Sequence, residues 1–304
     1  MQNYHFDLYE FLKCIEDGDN KKAHRIKDQS IPKTLYKFFG LFEAPECSEC
    51  KSMEKCHCKK CGANEQCQLL IKNFTKLQSI ENNQLWLSSV DELNDPFEFM
   101  ALYPDKNRSN GNEENTFKLL AYLKNEIRVS CFAGKKPIHD MPMWAHYANS
   151  HKGFCIEYTI KNSSLFLQIQ YSSERIPIAT IPAYIYSSIS KAMSEGKQEL
   201  DLKAQAYIIY LTLSAMVKSD HWVYENEYRL IYPTQNPDKN GELIPLEDLG
   251  LKMKHIYIGK SCNEEYRTRL LTMARTNKLP VSFIFLDEYS PEYKLNSRLV
   301  EQHG

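Results

Sequence analysis

The chain has 304 residues, and its 38 Lys and Arg against 39 Asp and Glu give a formal net charge of −1. This balance excludes a long-range field that would draw the whole molecule to nucleic acid or to a membrane. Apolar residues make up 42% and charged residues 25% of the chain, which is typical of an ordered globular protein. Residues 1–12 lack the pattern of a signal peptide, and no stretch approaches the roughly 18 apolar residues of a membrane span. We therefore expect a cytoplasmic protein with no membrane partner.

Hydrophobic periodicity predicts an α+β chain. Residues 1–30 are predicted to form a helical segment of two short helices, divided at Gly18. Further helices are predicted from residue 69 and over 116–126, 200–218 and 263–277, with Asn263 as N-cap of the last. Strands are predicted over 35–39, 84–88, 127–132, 153–160, 224–232, 255–259 and 281–286. We expect a single domain over residues 1–304, with a mixed β-sheet core, flanking helices and a parallel strand, helix and strand unit near its end.

Six of the ten cysteines lie within residues 43–69, a stretch with almost no aliphatic side chains. Their spacing is C-x2-C-x5-C, then His57, then C-x2-C-x5-C again, at Cys47, Cys50, Cys56, Cys58, Cys61 and Cys67. A C-x2-C pair allows two thiolates to bind one tetrahedral ion. This predicts a small inserted metal-binding knuckle whose structural zinc supplies local folding energy.

The spacing leaves several ligand sets open. Four thiolates, from Cys47, Cys50, Cys58 and Cys61, complete one zinc shell, whereas all six can share two zinc ions through bridging sulfurs. The same thiolates also suit an iron–sulfur cluster, and six ordinary reduced cysteines are the remaining alternative. The other cysteines stand in apolar contexts and are predicted to be buried core thiols: Cys14, Cys131, Cys155 and Cys262.

Three further segments are dense in polar and aromatic residues and contain all three tryptophans. In residues 85–98, Asn94 and Asp95 precede a proline, a strong turn signal. Residues 143–147 contain Trp144, His146 and Tyr147 on a predicted short helix, where His146 is either a substrate contact or a packing histidine.

The third segment, residues 218–231, carries alternating charge on a predicted strand. Residues two apart on a strand face the same way, so Glu225, Glu227 and Arg229 should line one side while Tyr228 and Leu230 face the core. Two carboxylates and a guanidinium would then converge. A solvated strand edge of alternating charge shows the same pattern.

These segments occur in an order that resembles a bacterial family, domain of unknown function 2971. The resemblance rests on residues 35–38, 85–89, 94–98, 130–132, 143–147, 152–158 and 224–231, and it covers roughly residues 35–286. The cysteine-rich stretch departs from the family pattern and is interpreted as an insertion after the first strand. The family itself implies no reaction.

A more distant similarity is to the toxin-type ADP-ribosyltransferases, which carry a basic residue on an early strand, a small polar central strand and a late Glu-x-Glu strand. The resemblance implies that Lys37 contacts the ribose or phosphate of NAD and that Ser130 supports the nicotinamide pocket. It implies that Glu227 stabilises the positive charge at the ribose carbon and that Glu225 orients the acceptor. Trp86, Trp144 or Tyr147 would stack on the nicotinamide. The remaining candidates for contact with the cofactor are Tyr36, Asn94, Asp95, His146 and Arg229.

The sequence therefore favours a nucleotide-dependent transferase, most plausibly an NAD-using ADP-ribosyltransferase or NAD glycohydrolase, with an unknown protein or nucleic-acid acceptor. One alternative is a non-catalytic module that recognises a macromolecule through the metal knuckle and an aromatic pocket. A second is a magnesium-dependent nuclease or hydrolase that uses Asp95, Glu98, Glu225 and Glu227.

Overall fold

The computed structural model describes residues 6–43, 65–104, 113–178 and 181–300, with the side chains of residues 65–68 and 213 outside this description. The chain divides into two compact units, each assembled from three stretches. The first unit comprises residues 1–32, 87–131 and 163–242; the second comprises residues 33–86, 132–162 and 243–304.

Helices and strands alternate irregularly along the chain. The α-helices are α1 Leu8–Glu16, α2 Asn20–Ser30, α3 Glu65–Glu81, α4 Glu113–Asn125, α5 Met141–His146, α6 Ile181–Ser194, α7 Leu202–Thr212 and α8 Glu264–Thr276. The strands are β1 Thr34–Phe39, β2 Gln84–Ser88, β3 Leu102–Pro104, β4 Ile127–Ala133, β5 Phe154–Ile160, β6 Phe166–Gln168, β7 Gln170–Ser172, β8 Ile176–Ile178, β9 Val217–Ser219, β10 Glu227–Pro233, β11 Gly241–Pro245, β12 Leu251–Ile258, β13 Val281–Leu286 and β14 Leu295–Leu299.

The first unit begins with the predicted helix pair. Asp7 and Asp19 cap α1 and α2 by accepting hydrogen bonds from backbone amides three residues on, which satisfies amides that the helices leave free. In this unit β10 pairs antiparallel with β6 and also pairs with β4, while β7 and β9 form a short parallel pair. Two clusters of buried apolar residues, one around Leu120 and Leu211 and one around Phe11 and Met216, form its core.

The second unit is built on a mixed arrangement of strands in the order β1-β5-β12-β13-β14. Strand β5 pairs antiparallel with β1 and β12, and β12 pairs parallel with β13, to which α8 connects it. Asn263 caps α8 by accepting from the Glu265 amide, as predicted. The parallel pairing of β12 and β13 on either side of α8 confirms the predicted strand, helix and strand unit. At the end of β1 the chain passes so close to Gly153 that a Cβ there would lie 1.9 Å from the Phe39 carbonyl oxygen.

Two predicted elements end differently from the sequence pattern. The helix predicted over 200–218 stops at Thr212; a 3-10 turn at Leu213–Met216 follows, and then β9. A continuous apolar run is compatible with a buried helix and with a buried strand. Here the residues after the 3-10 turn form a strand because they pair with β7. The strand predicted over 224–232 begins only at Glu227, because Asp220–Glu225 forms a 3-10 helix that ends at Asn226 in a left-handed conformation, φ 44°.

The α+β class, the mixed pairing of strands and the flanking helices agree with the sequence prediction. An ADP-ribosyltransferase-like arrangement, the single domain and the metal-binding insertion stay predictions. Of the helices in the described ranges, none has the length and apolar character needed to cross a membrane.

Candidate functional site

The first unit contains a buried group of five charged side chains, here named the acidic cluster: Glu98, Lys218, Glu225, Glu227 and Arg229. Each side chain is at most 5% exposed. Burying charges is costly unless they are paired and hydrogen-bonded. Five such groups in one place therefore mark this cluster as the first candidate for a functional centre.

Local backbone structure brings the acidic cluster together. Glu98 lies on the turn that follows Asn94, where the Asp95 carboxylate accepts from the Phe97 amide at 2.9 Å. The left-handed conformation of Asn226 joins the 3-10 helix to β10, and Glu225 and Glu227 on its two sides both reach the Lys218 ammonium. The convergence predicted for a continuous strand is thus achieved through a turn.

Arg229 is the most heavily bonded member of the acidic cluster. Its guanidinium donates to both carboxylate oxygens of Glu98, at 2.6 and 2.7 Å, in the bidentate geometry that suits this pair. It also donates to Glu227 at 2.6 and 3.3 Å and to the backbone carbonyl of Ala215 at 2.6 Å. This one cation fixes both carboxylates and the turn that leads into β9.

Lys218 is the second cation of the cluster. Its Nζ lies 2.8 Å from Glu225, 3.2 Å from Glu227 and 3.5 Å from Glu98, so one ammonium contacts all three carboxylates. The ring of Trp222 lies 4.7 Å from the same Nζ. Trp222 is only half-buried, so part of its side chain reaches the surface.

The electrostatics of the cluster keep Glu227 ionised. Burial alone would raise its pKa, but Arg229 and Lys218 outweigh that effect and lower the pKa of Glu227 to about 2. Burial opposes the charged form of Lys218 as well, and Glu227 and Glu225 raise its pKa above the ordinary value. Three carboxylates against two cations leave a formal charge of −1 when all five groups are ionised.

Two neighbours complete the surroundings of Glu227. The half-buried thiol of Cys131 on β4 hydrogen-bonds to the Glu227 carboxylate and helps to lower its pKa. The backbone amide of Glu227 donates to the Tyr171 hydroxyl at 2.9 Å. An ionised, fully bonded carboxylate cannot donate a proton, so the chemistry open to Glu227 is the stabilisation of positive charge.

Three further predicted cofactor contacts, Ser130, Asp95 and Asn94, lie in the first unit. Ser130 is a buried residue of β4, and its hydroxyl has no hydrogen-bond partner among the described residues. Asp95 is buried and its carboxylate shapes the turn that carries Glu98. Asn94 starts that turn. Of the predicted residues, Glu227 and Arg229 contact each other directly, and Glu225 is joined to Glu227 through Lys218.

The other predicted contacts belong to the second unit. Tyr36 on β1 is buried, and burial followed by the nearby Glu157 carboxylate raises its pKa. The Nζ of Lys37 lies 5.8 and 5.4 Å from the ring centroids of Phe39 and Phe132.

Trp144 is fully buried, and its indole donates to the Pro137 carbonyl while its ring packs on Phe38 and His151. His146, the last residue of α5, is exposed, and Tyr147 is half-buried. These contacts make Trp144 a core residue of the second unit, whereas His146 and Tyr147 retain exposed surface.

Sequence reasoning missed the part that Lys218 plays. Lys218 is the last residue of a predicted helix, where a lysine side chain is ordinarily solvated, so the helical pattern does not indicate that it is buried. The available signal was its place in the first position of the charged segment 218–231, seven residues before Glu225. Glu98 was considered only as a magnesium ligand, and its pairing with Arg229 joins segments too distant for any local pattern to reveal.

The proposed metal ligands Cys47, Cys50, Cys56, Cys58 and Cys61 lie outside the described residues, and so does the side chain of Cys67. Within the described ranges, no group of three or more His, Cys, Asp or Glu side chains is arranged to hold a metal ion. Of the cysteines predicted to be buried core thiols, Cys14, Cys155 and Cys262 are buried, whereas Cys131 is only half-buried.

Comparison with known proteins gives one match. No curated protein and no solved structure matches the chain. Residues 143–230 match the family described as Protein of unknown function (DUF2971), and this stretch contains Lys218, Glu225, Glu227 and Arg229. The resemblance predicted from the sequence is thereby supported over residues 143–230, the stretch of this chain that contains four of the five residues of the acidic cluster.

Proposed function

We propose that the chain is an NAD-using enzyme, an ADP-ribosyltransferase-like transferase or a glycohydrolase, and that the acidic cluster is its electrostatic centre. The observation that carries this proposal is the formal charge of −1 in a buried site, with Glu227 held ionised by Arg229 and Lys218.

A negative buried site suits this reaction because the reacting group is cationic. The nicotinamide ring of NAD carries a positive charge, and breaking its bond to ribose spreads that charge onto the ribose carbon. A preorganised carboxylate stabilises such a transition state most effectively where water is excluded, since charges interact more strongly at low dielectric. In this proposal Glu227 supplies that carboxylate and Glu225 orients the acceptor.

Access to the cluster would lie along Trp222. Its ring is half-buried above the Lys218 ammonium, and a partly exposed aromatic face can stack on a departing nicotinamide. Trp222 thus takes the stacking role that the sequence assigned to Trp86, Trp144 or Tyr147. The contacts expected of Lys37, Tyr36, His146 and Ser130 stay predictions.

Like the NAD reaction, the magnesium-dependent hydrolase needs carboxylates that Lys218 and Arg229 already bind. The oxygens of Glu98, Glu225 and Glu227 already accept hydrogen bonds from Lys218 and Arg229, and a metal ion would have to displace these cations. The binding module predicts that a macromolecule is bound and that NAD is not turned over.

The test is release of nicotinamide from NAD by the purified chain, measured by chromatography, with Glu227→Gln as the variant. This substitution keeps the shape and removes the charge. We expect the parent to release nicotinamide and the variant to be slower by at least about 100-fold, as for the loss of a main electrostatic group. Release should persist in EDTA, whereas loss in EDTA with recovery on adding magnesium would favour the hydrolase.

The matched control is Glu157→Gln. Glu157 is also a buried strand carboxylate, bonded to Lys254 at 2.6 Å and Tyr257 at 2.8 Å, but it lies in the second unit. It should retain the parent rate. Absence of release by the folded parent, together with no thermal shift on adding NAD, would contradict the enzyme and leave the binding module.

We also propose that residues 43–69 hold structural zinc, on the chemistry of six thiolates in doubled C-x2-C spacing. Metal analysis of the purified chain tests this. A zinc content that falls in Cys50→Ser supports the site. One zinc ion per chain would indicate the four-thiolate shell, and two would indicate the six-thiolate set. Iron with absorption in the visible range would instead identify an iron–sulfur cluster.

A further inference from the structure

One face of the sheet in the second unit carries a serine and a histidine in direct contact. The Oγ of Ser282 on β13 lies 2.9 Å from the Nε2 of His255 on β12. A serine hydroxyl within about 2.6–3.2 Å of an imidazole nitrogen has the geometry in which the imidazole activates the serine as a nucleophile. The pair is separate from the acidic cluster, which belongs to the first unit.

An irregularity in β12 places His255 on this face of the sheet. Met253 pairs with Tyr158 and His255 pairs with Glu157, so Lys254 is an extra residue that forms a β-bulge. In a regular strand Lys254 would pair with Glu157, and His255 would point to the opposite face. Bulges are frequent next to active sites because they redirect side chains in this way.

Neighbouring side chains orient the imidazole of His255. Its ring stacks on the Tyr257 ring, with the centroids 4.3 Å apart and the planes at 20°. The Tyr257 hydroxyl donates to Glu157 at 2.8 Å, and the Lys254 ammonium donates to the same carboxylate at 2.6 Å. Burial, opposed by the Glu157 carboxylate, lowers the pKa of His255 below its ordinary value of 6.5. The ring is therefore neutral at pH 7 and can accept a proton.

Exposed side chains border the pair on two sides. Ser282 itself is 5% exposed, and His255 is half-buried. Leu299 on β14 lies opposite Ser282 in the register, so the two side chains project from the same face, and Leu299 is 61% exposed. The Lys254 side chain, next to His255, is 55% exposed. The surface beside Ser282 is therefore apolar, which suits a short acyl group.

We propose that Ser282 and His255 form a second catalytic site, which hydrolyses carboxylic esters with a short apolar acyl group. The Ser282 Oγ attacks the ester carbonyl carbon while its proton passes to the Nε2 of His255. The bond from that carbon to the alcohol oxygen breaks, and the alcohol leaves with this proton. Water then attacks the acyl carbon, and Nε2 accepts a proton from the water and returns it to Oγ as the acid is released.

The experiment uses a fluorophosphonate, which reacts with an activated serine by forming a bond from Oγ to phosphorus and losing fluoride. The full chain is incubated with this probe and digested, and the labelled peptide is identified by mass spectrometry. We expect one label per chain, on Ser282. Labelling should also abolish hydrolysis of p-nitrophenyl acetate by the same sample, because both reactions use the same Oγ.

Two variants separate the roles of the pair. Ser282→Ala should remove the label and slow ester hydrolysis by at least about 100-fold, since it removes the nucleophile. His255→Gln keeps Ser282 but removes its base, and should slow labelling by about 100-fold. The matched control is Ser297→Ala, which removes a half-buried serine on the neighbouring β14 and should be labelled and hydrolyse the ester at the parent rate.

A folded parent that carries no label on Ser282, or ester hydrolysis that is equal in the parent and in Ser282→Ala, would overturn the site and leave a structural hydrogen bond. If Ser282→Ala fails to fold, the labelling rates of the parent and His255→Gln decide the question, and equal rates would overturn the site. Neither assay contains NAD, so this outcome is separate from that of the proposed NAD reaction.

Discussion

Replacement of Arg229 by methionine tests the energetic weight of the acidic cluster. Methionine fills much of the volume but removes a guanidinium that is 1% exposed and makes five hydrogen bonds, four of them to carboxylates. Removing one partner from a buried ion pair costs about 3–5 kcal/mol, because the remaining charges lose their compensation. We therefore expect the free energy of unfolding to fall by about that amount at pH 7.

The assay is urea unfolding followed by circular dichroism, with Arg269→Met as the matched control. Arg269 also makes a bidentate pair, to Glu81 at 2.7 and 2.8 Å, but the two side chains are 25% and 34% exposed. Pairs in contact with solvent contribute about 0–1 kcal/mol, so Arg269→Met should cost far less than Arg229→Met. Equal losses in the two variants would refute the reasoning that burial sets the cost.

Two further predictions concern Asp140 and Gly153, both in the second unit. Burial raises the pKa of Asp140 to about 6, so ionisation opposes folding: stability is full below the unfolded value of 3.8 and declines as pH rises through about 6. Asp140→Asn should therefore melt higher than the parent at pH 8 and show a smaller change in melting temperature between pH 4 and 8; an unchanged profile contradicts this. Gly153→Ala should cost more than about 2 kcal/mol, since its Cβ would overlap the Phe39 carbonyl, whereas Gly196→Ala meets open space and should cost only about 1 kcal/mol for its positive φ. Comparable melting temperatures for the two alanine variants would show that the contact at Gly153 relaxes.

Elements with a local cause were predictable from the sequence. An N-cap residue and periodic apolar residues predicted helix α8. Short runs of β-branched and aromatic residues predicted the strands on either side of it. The end of α7 was not predictable, because the apolar residues that continue past Thr212 suit a helix and a buried strand equally. There the choice depended on β7, whose residues lie 47 positions before their partners in β9.

The acidic cluster was predictable only in part, for the same reason. Glu225, Glu227 and Arg229 lie within five residues of sequence, and alternation was enough to predict that they converge. Strand alternation was nevertheless the wrong mechanism at Glu225, since Asn226 turns the chain. Lys218 and Glu98 reach the cluster from other segments, and spacing along the chain carries no information about such contacts.

The pair formed by Glu98 and Arg229 has a consequence for how the chain acquires its structure. The two residues are 131 positions apart, so their contact closes a long loop that local structure cannot bring together early. During synthesis Glu98 leaves the ribosome well before Arg229 exists, and in that interval its carboxylate stays hydrated. The acidic cluster cannot be completed until residue 229 has been synthesised, and a chain truncated before that residue lacks the cation that binds Glu98 and Glu227 in the structure.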